Sequence, residues 1–306
     1  MSKKIYITYG DEKYAKSREF GVKMAKRLGK FDVAIGYTES DIPIIFKEQH
    51  EEIFKIKRGA GLWLWKPFLI LKTLIEFAVD DDIVFYSDGG AFMIRNISFI
   101  IKSMGDSDIW VSDIPFKEKQ FTKEDAFHLM NTETINRESP QIQASFLCFR
   151  KSGTSVAFVR EWLKLCCDIN LLHPSNLNPG LENGNSFIAH REDQSILSLL
   201  CKKRGIVAHL DPSQHGKYPV IYTKWGYEVP KMNHTEEYPI CIILHRRHSI
   251  NVIFVLKWLL LSFLPQNVGM KILAIKKVSH TKKSKMLISL STTKQNYPPP
   301  RVCCKH

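Results

Sequence analysis

Several short motifs that mark common enzyme classes are missing from this sequence of 306 residues. It contains no HExxH, no paired CxxC, no P-loop and no GxGxxG, which disfavours metalloprotease, zinc-ribbon, nucleoside-triphosphatase and dinucleotide-binding functions. Its seven cysteines have no metal-ligand spacing either. The N-terminus lacks the apolar segment of a secretory signal, so we expect reduced thiols and a cytoplasmic protein.

Acidic side chains are missing from the C-terminal part of the chain. From His245 to the end there are 12 lysines and arginines and no aspartate or glutamate, whereas residues 1–244 hold 32 basic and 31 acidic side chains. The net charge of +13 therefore belongs to the C-terminal part, and the rest of the chain is close to neutral. For this reason nucleic acid is not an expected partner, although the net charge alone would favour it.

Alternating strand and helix patterns extend over residues 1–248. Lys4–Tyr9 and Val33–Tyr37 alternate as strands around an amphipathic helical stretch at Lys13–Leu28, an order typical of parallel α/β sheets. Further strands are predicted at Asp82–Ser87, Asp108–Ser112, Gln143–Arg150, Gly205–Leu210 and Tyr238–Arg246. We therefore predict an α/β domain with a Rossmann-type mixed sheet flanked by helices.

The chain changes character after residue 248. Ser249–Leu264 is apolar, but its 16 residues are fewer than the roughly 20 that a membrane span needs. Beside a basic segment, it is typical of a helix lying on an anionic membrane surface. A core helix or a subunit contact is the alternative. Residues 265–306 are rich in lysine, serine and threonine and are predicted to be a poorly ordered tail.

Asp88 follows the apolar run Ile83–Tyr86 and is followed by Gly89 and Gly90. Ligands of open α/β sheets bind at the carboxyl ends of strands, and glycine lets the backbone approach a ligand closely. A simple turn is the alternative. Asp82 lies about 20 Å away at the rise of an extended strand, so it cannot share a metal ion with Asp88.

Two further segments carry groups suited to a substrate. Trp63 and Trp65 fall on one side of an extended chain and could stack on a base or a sugar, while Lys66 near a helix N-terminus suits a phosphate. The alternative is a hydrophobic staple beside an exposed lysine. Asp193 shares the inward face of its helix with Leu197, so it could act as a base or stabilise charge, as well as cap the helix.

His245 ends another apolar strand, and its imidazole could bind a metal ion together with Asp88. A solvated, basic strand end is the alternative for this histidine.

Five segments occur in a fixed order, YGDEKYAKS, GLWLWKP, DDIVFYSDGG, SPQIQASFLCFRK and HREDQSILSLLCKKRGI. Together they resemble a family of bacterial and viral glycosyltransferases with a GT-A-like fold, linked to surface polysaccharide or lipopolysaccharide assembly. The resemblance covers roughly residues 3–248. It implies a GT-A-like domain over residues 1–248 that binds a nucleotide sugar, usually with Mn²⁺ or Mg²⁺ bridging the diphosphate.

The resemblance also implies roles for single residues. Asp88 falls at the first acid of a D-x-D metal motif, Gly90 stands where the second acid is expected, and His245 would complete the metal site. Asp193 is implied as the acceptor-side carboxylate and, with Asp88, as catalytic. The remaining implied contacts are with the donor (Tyr9, Trp65, Lys66, Gly89 and Gly90) and with the sugar or acceptor (Gln141, Gln143, His190 and Arg191).

These observations predict a glycosyltransferase that moves a sugar from a nucleotide-diphosphate donor to a glycan or lipid-linked acceptor in cell-surface polysaccharide synthesis. We expect it at the cytoplasmic face of the cell membrane. Breaking a sugar–diphosphate bond leaves a strongly negative group, which a metal or cationic side chains must stabilise. Because Gly90 replaces the second acid, a non-catalytic carbohydrate-binding or degenerate transferase-like protein is the alternative.

Overall fold

A computed structural model of the protein describes residues 2–176, 180–219, 222, 230, 232, 234 and 238–273. The chain divides into two compact units, Met1–Phe263 and Leu264–His306. In the second unit, residues 266–273 are helical. All elements named below belong to the first unit.

The strands of the described part form a six-stranded sheet and a two-stranded sheet. They are β1 (Lys4–Tyr9), β2 (Val33–Tyr37), β3 (Ile83–Ser87), β4 (Ala91–Met93), β5 (Ile109–Lys117), β6 (Pro140–Arg150), β7 (Ala208–His209) and β8 (Ile242–Leu244). The large sheet has the order β2-β1-β3-β6-β5-β7, and β4 pairs with β8. Strand β6 is antiparallel to both of its neighbours, and the other five strands run in one direction.

Helices cover both faces of the large sheet. They are α1 (Ala15–Met24), α2 (Ile44–Gln49), α3 (Glu51–Phe54), α4 (Gly59–Leu62), α5 (Trp65–Glu76), α6 (Ser98–Met104), α7 (Glu118–Phe121), α8 (Glu124–Leu129), α9 (Gly153–Cys166), α10 (Ile169–Leu172), α11 (Glu192–Lys203), α12 (Gln214–Lys217) and α13 (Val252–Phe263). Pro67 lies in the first turn of α5, where a missing backbone N–H leaves no helical hydrogen bond unmade.

The central strand β3 is buried on both faces, which explains its unbroken apolar sequence. Val84 and Tyr86 pack into one apolar core, whereas Ile83 and Phe85 pack into the core on the other side of the sheet. Side chains of a strand alternate between faces, so one short segment contributes to both cores. The predicted mixed α/β sheet with flanking helices is confirmed.

The local order of strands departs from the sequence expectation in two places. The alternating pattern indicated parallel strands, but β6 runs opposite to its neighbours because the connection after β5 closes back at the same edge, where the Glu118 N–H donates to the Ser139 carbonyl at 3.0 Å. The strand predicted at Tyr238–Arg246 shortens to β8 and pairs with β4, outside the large sheet.

The apolar segment predicted at Ser249–Leu264 is helical over α13. Trp258 and Leu261 are buried, and the Tyr218 hydroxyl donates to the Leu261 carbonyl at 2.7 Å, so one face of the helix packs on the domain. None of the described helices combines the length and the hydropathy needed to cross a bilayer.

Candidate active site

Strands β1 and β3 lie side by side, and we call the place beyond their carboxyl ends the switch crevice. The connection after β1 leads to β2 on one side of β1, and the connection after β2 returns to β3 on its other side. Ligands of open α/β sheets bind at such a switch in direction, beyond the carboxyl ends of the strands. Tyr9 ends β1 there, and Asp88 follows β3 at the same edge.

Three charged side chains that are distant in sequence meet beside this crevice. The Lys66 ammonium lies 2.9 Å from Asp193 Oδ2 and 3.4 Å from Asp88 Oδ1. It also donates to the Ala144 carbonyl at 3.2 Å. We call Lys66, Asp88 and Asp193 the Lys66 cluster. Lys66 and Asp193 are buried, whereas the Asp88 side chain is 33% exposed, so Asp88 is the member that a bound substrate can reach.

Tyr86 completes the surroundings of Asp88. Its hydroxyl donates to Asp88 Oδ1 at 2.7 Å, and its ring lies 5.4 Å from the Lys66 ammonium. Burial and the Asp88 charge raise the pKa of Tyr86 far above its usual value, so the hydroxyl keeps its proton and acts as a donor. Asp88 is thus held in one orientation by a hydroxyl and an ammonium group.

The charges of the Lys66 cluster balance only in part. Burial would lower the pKa of Lys66, but the attraction of Asp193 and Asp88 outweighs burial and raises it, so the lysine stays cationic. Burial raises the pKa of Asp193 to about 7, against the opposing pull of Lys66. Asp193 can therefore exchange a proton near neutral pH, which suits a group taking part in proton transfer.

Backbone conformation brings Lys66 to this place. The turn before α5 is left-handed, with positive φ at Gly59, Ala60, Gly61, Leu62 and Trp63. L-residues adopt such a turn only at a cost, and a Cβ on Gly59 would meet the Trp63 ring at 2.4 Å. Strain of this kind concentrates at functional sites.

An ion pair connects the left-handed turn to the start of α11. Arg58 Nε donates to Glu192 Oε1 at 2.6 Å, and the Arg58 guanidinium lies over the Trp63 ring at 5.4 Å. Because Asp193 follows Glu192 directly, this ion pair couples the position of Lys66 to that of its carboxylate partner. Glu192 also has a positive φ of 43°, so the helix start is shaped by the same contact.

The aromatic residues predicted to bind the donor lie together. The Tyr9 and Trp65 rings stack with centroids 3.9 Å apart, and both are buried. A Cβ on Gly89 would lie 2.4 Å from the Tyr9 carbonyl oxygen, so only glycine allows the chain after β3 to pass the end of β1. Tyr9, Trp65 and Gly89 thus lie together, buried, at the ends of β1 and β3, and their contact with a donor remains a prediction.

Gln141 and Gln143, which are predicted to bind sugar, form hydrogen bonds with other groups inside the protein. Gln141 is fully buried; its amide nitrogen lies 3.1 Å from the Phe121 carbonyl, and its oxygen accepts from Gln194 at 2.7 Å. The Gln143 amide donates to Ser112 Oγ at 2.9 Å. These contacts align the start of β6 with α11 and with β5.

His190 and Arg191 lie just before Asp193 in sequence but make other contacts. His190 Nδ1 accepts from the Lys123 backbone N–H at 3.3 Å, and burial lowers its pKa to about 3, so the ring is neutral. The Arg191 guanidinium lies over the rings of Phe116 and Phe121. The sugar or acceptor contact of these two residues remains a prediction.

His245 braces the turn that follows Asp88. Its Nδ1 accepts from the Arg247 N–H at 3.2 Å, so the neutral ring carries its proton on Nε2, which lies 3.1 Å from Ser17 Oγ. Ser17 in turn donates to the Gly89 carbonyl at 2.5 Å. Burial, with a contribution from the Arg247 charge, lowers the pKa of His245 to about 4.

Sequence reasoning missed Tyr86, Arg58 and Glu192. Tyr86 lies two residues before Asp88, and residues at this spacing on an extended chain point to the same side, so this signal was present. The pairing of Arg58 with Glu192 spans 134 positions and leaves no local pattern.

No family model and no curated protein matches this sequence. Among solved structures, the chain is similar to the apo form of the glycosyltransferase GlyE of Streptococcus pneumoniae TIGR4, with 14% identity and a TM-score of 0.42 over 90% of this chain and 64% of that one. It thus spans less than two thirds of the GlyE chain. The galactosyltransferase LgtC with donor and acceptor sugar analogues gives 13% identity and a TM-score of 0.43, over 79% of this chain and 87% of that one.

Mouse xyloside xylosyltransferase 1 gives 10% identity and a TM-score of 0.42, over 82% of this chain and 99% of that one. Likenesses at this level assign the chain to no family, and no activity is carried over from them.

Proposed function

We propose that the protein is a glycosyltransferase that moves a sugar from a nucleotide-diphosphate donor to a glycan or lipid-linked acceptor. One observation carries the proposal: the Lys66 cluster lies at the switch crevice, with an exposed carboxylate and a buried one joined by an ammonium group. Titratable groups whose pKa values are shifted by burial and by a specific partner, at the mouth of a sheet, are typical of catalytic sites.

The reaction needs the groups that the crevice supplies. An acceptor hydroxyl oxygen forms a bond to the anomeric carbon of the donor sugar. The bond from that carbon to the phosphate oxygen breaks, and its electron pair leaves with the nucleoside diphosphate. The proton of the hydroxyl passes to a carboxylate, for which Asp88 is reachable and Asp193, with its pKa of about 7, has the matching proton affinity.

Two residues predicted for the donor lie near this cluster. The Tyr9 and Trp65 rings stack on each other at the end of β1 and are buried, so they would support the donor site from beneath. The resemblance of the five sequence segments supports the same assignment. Cell-surface polysaccharide is the pathway that this resemblance favours.

A screen of nucleotide sugars by release of nucleoside diphosphate tests the proposal. Release or transfer should fall at least roughly 100-fold in Asp88→Asn and in Asp193→Asn, because both lose a charged group at the reacting centre. Asp80→Asn is the matched control, since Asp80 is an exposed acid before β3, with 87% of its side chain accessible, and should keep full activity. Full activity in both folded variants of the cluster would contradict the assignment.

The same screen separates the alternative function. A chain that binds free oligosaccharide by calorimetry, with no nucleotide binding and no turnover, is a carbohydrate-binding or degenerate transferase-like protein. The buried position of Asp193 gives this alternative its specific support, because the acceptor would have to move that side chain or use Asp88 alone.

We also propose that α13 binds the anionic cytoplasmic face of a membrane. Five apolar side chains of this helix are exposed by more than half: Val252, Ile253, Leu256, Leu260 and Phe263. The chain from His245 onward is basic and has no acid, so its charge complements anionic lipid.

Co-sedimentation with vesicles of phosphatidylcholine, with and without phosphatidylserine, measures this binding. The triple change of Ile253, Leu256 and Leu260 to Ser should release the protein from anionic vesicles. Changing Ile44 and Ile45 to Ser, two residues that are equally exposed on α2, should have no effect. Equal binding of all three proteins would contradict the membrane proposal.

A further inference from the structure

Position 90 is where a second metal-binding acid would be expected, and the structure leaves no room for one. A Cβ on Gly90 would lie 3.0 Å from the Cα of Arg246 and 3.2 Å from its nitrogen. The Gly90 carbonyl accepts from the backbone N–H groups of His245 and Arg246, at 2.8 and 2.9 Å. The chain after β8 therefore occupies the space that an acidic side chain at position 90 would fill.

The remaining implied ligands are engaged elsewhere. Asp88 accepts from Tyr86 and pairs with Lys66, and both ring nitrogens of His245 have partners. The described residues include no group of three or more His, Cys, Asp or Glu side chains arranged to hold a metal ion. One carboxylate that is already paired with a lysine does not fit a divalent cation, which prefers several oxygen ligands.

Lys66 cannot supply the missing positive charge either. Its ammonium is buried between Asp88 and Asp193 and also bonds to the Ala144 carbonyl. The two carboxylates thus offset the positive charge of Lys66 within the protein. A departing diphosphate carries a strong negative charge, so a cation from another segment is required.

Arg246 is a cation whose backbone lies against Gly90, two residues after Asp88. It has a positive φ of 51°, an uncommon conformation for an L-residue, and it is exposed. The ring of the nearby His248 lies edge-on against Tyr14, centroids 4.5 Å apart, and Tyr14 follows β1. The segment 245–248 therefore crosses from β8 over the ends of β3 and β1.

The charge of Arg246 also acts on two groups that follow β7, Asp211 and His215. Burial lowers the pKa of His215 to about 3, and the charge of Arg246 contributes to this shift. His215 and Asp211 line a cavity of about 60 Å³, and Asp211 follows β7, whose carboxyl end points to the same edge as those of β1 and β3. Arg246 thus has its backbone against Gly90, and its charge acts on residues that line this cavity.

Resting on the proposed function, we propose that Arg246 holds the donor diphosphate in place of a divalent metal ion. A guanidinium presents a planar fork of N–H donors that matches two phosphate oxygens at once. As the bond between the anomeric carbon and the phosphate oxygen breaks, the electron pair stays on that oxygen. Arg246 stabilises the added charge by donating hydrogen bonds to it, without gaining or losing a proton.

Calorimetric titration of the full chain with UDP, GDP and dTDP, in EDTA and in MnCl₂, tests this inference. EDTA should change the dissociation constant of the diphosphate that binds by less than about 2-fold. Arg246→Gly, which keeps the left-handed backbone, should weaken it roughly 10- to 100-fold, as expected for lost charge-assisted hydrogen bonds. Arg246→Lys should be intermediate, because it restores charge without the fork.

Arg247→Ala is the matched control. Arg247 is the next residue and is equally basic, but its guanidinium lies over the Phe254 ring, so binding should stay within about 2-fold of wild type. Binding that disappears in EDTA and returns with Mn²⁺, or an Arg246→Gly protein that binds as wild type does, overturns the inference and leaves the proposed function standing. A wild-type chain that binds none of the three diphosphates in either buffer overturns both.

Discussion

Two lysines are buried among the described residues, and the protein surrounds them in opposite ways. Lys66 lies between two carboxylates, whose attraction raises its pKa. Lys123 donates to three backbone carbonyls in and just after α10, those of Asn170, His173 and Ser175, at 2.6 to 3.0 Å. Burial lowers the pKa of Lys123 to about 8.

The difference separates a reactive arrangement from a structural one. Backbone carbonyl groups cannot exchange protons, so their hydrogen bonds with Lys123 hold α10 and the residues after it against the start of α8. Carboxylates can exchange protons, and one of the two beside Lys66, that of Asp88, is accessible to a substrate. Burial of a charge is thus no sign of function by itself, and the chemistry of its partners decides.

Removing the ammonium from the Lys66 cluster should give the largest effect. Lys66→Met leaves Asp88 and Asp193 close together without a cation, and breaking a buried ion pair in this way destabilises a protein by about 3–5 kcal/mol. We expect transfer activity to fall at least roughly 100-fold in the fraction that stays folded. Urea unfolding and nucleoside-diphosphate release measure the two effects.

Lys72→Met is the control for this change, because Lys72 lies on the same helix α5 but bonds only to the Asp41 carbonyl among the described residues, at 3.3 Å. Wild-type activity in Lys66→Met would show that the cluster is structural, as Lys123 is.

Lys123→Met should separate stability from activity. Three backbone carbonyls lose a shared charged donor, so the free energy of unfolding should fall by about 1–3 kcal/mol. Turnover of folded protein should stay within about 3-fold of wild type, because Lys123 holds a loop and lies outside the Lys66 cluster. Lys13→Met, at an exposed position, controls for loss of charge. A loss of turnover as large as that of Lys66→Met would remove the distinction between the two lysines.

The pH dependence of stability tests the protonation of Asp193 in the folded protein. The pKa of Asp193 is raised from 3.8 to about 7 in the folded protein, so between these values the folded state binds more protons than the unfolded state. The contribution of Asp193 to the free energy of unfolding therefore falls as pH rises from about 4 to about 7 and stays level above.

Asp193→Asn should remove this slope, as urea unfolding between pH 4 and 8 can measure. The same slope in the variant and in wild type would place the titration on another group.

The separate parts of the site could be predicted from the sequence, but the contacts between them could not. The apolar run before Asp88 predicted a strand end, and helical spacing predicted the inward face for Asp193, because both patterns are local. The contact of Lys66 with Asp193 joins residues far apart in the chain, and no periodicity records such a pairing. The buried hydrogen bonds that Gln141 makes between β6 and α11 likewise left no local pattern, and its sugar contact remains a prediction of the resemblance.

The left-handed turn before Lys66 has a consequence for chirality. Ala60 has a φ of 51° and a ψ of 54°, a conformation in which D-alanine is relaxed and L-alanine is strained by roughly 1–2 kcal/mol. A semisynthetic protein with D-alanine at position 60 should unfold at a higher temperature than the natural one. The turn that leads to Lys66 therefore contains a position that favours D-alanine, an enantiomer that ribosomes do not use.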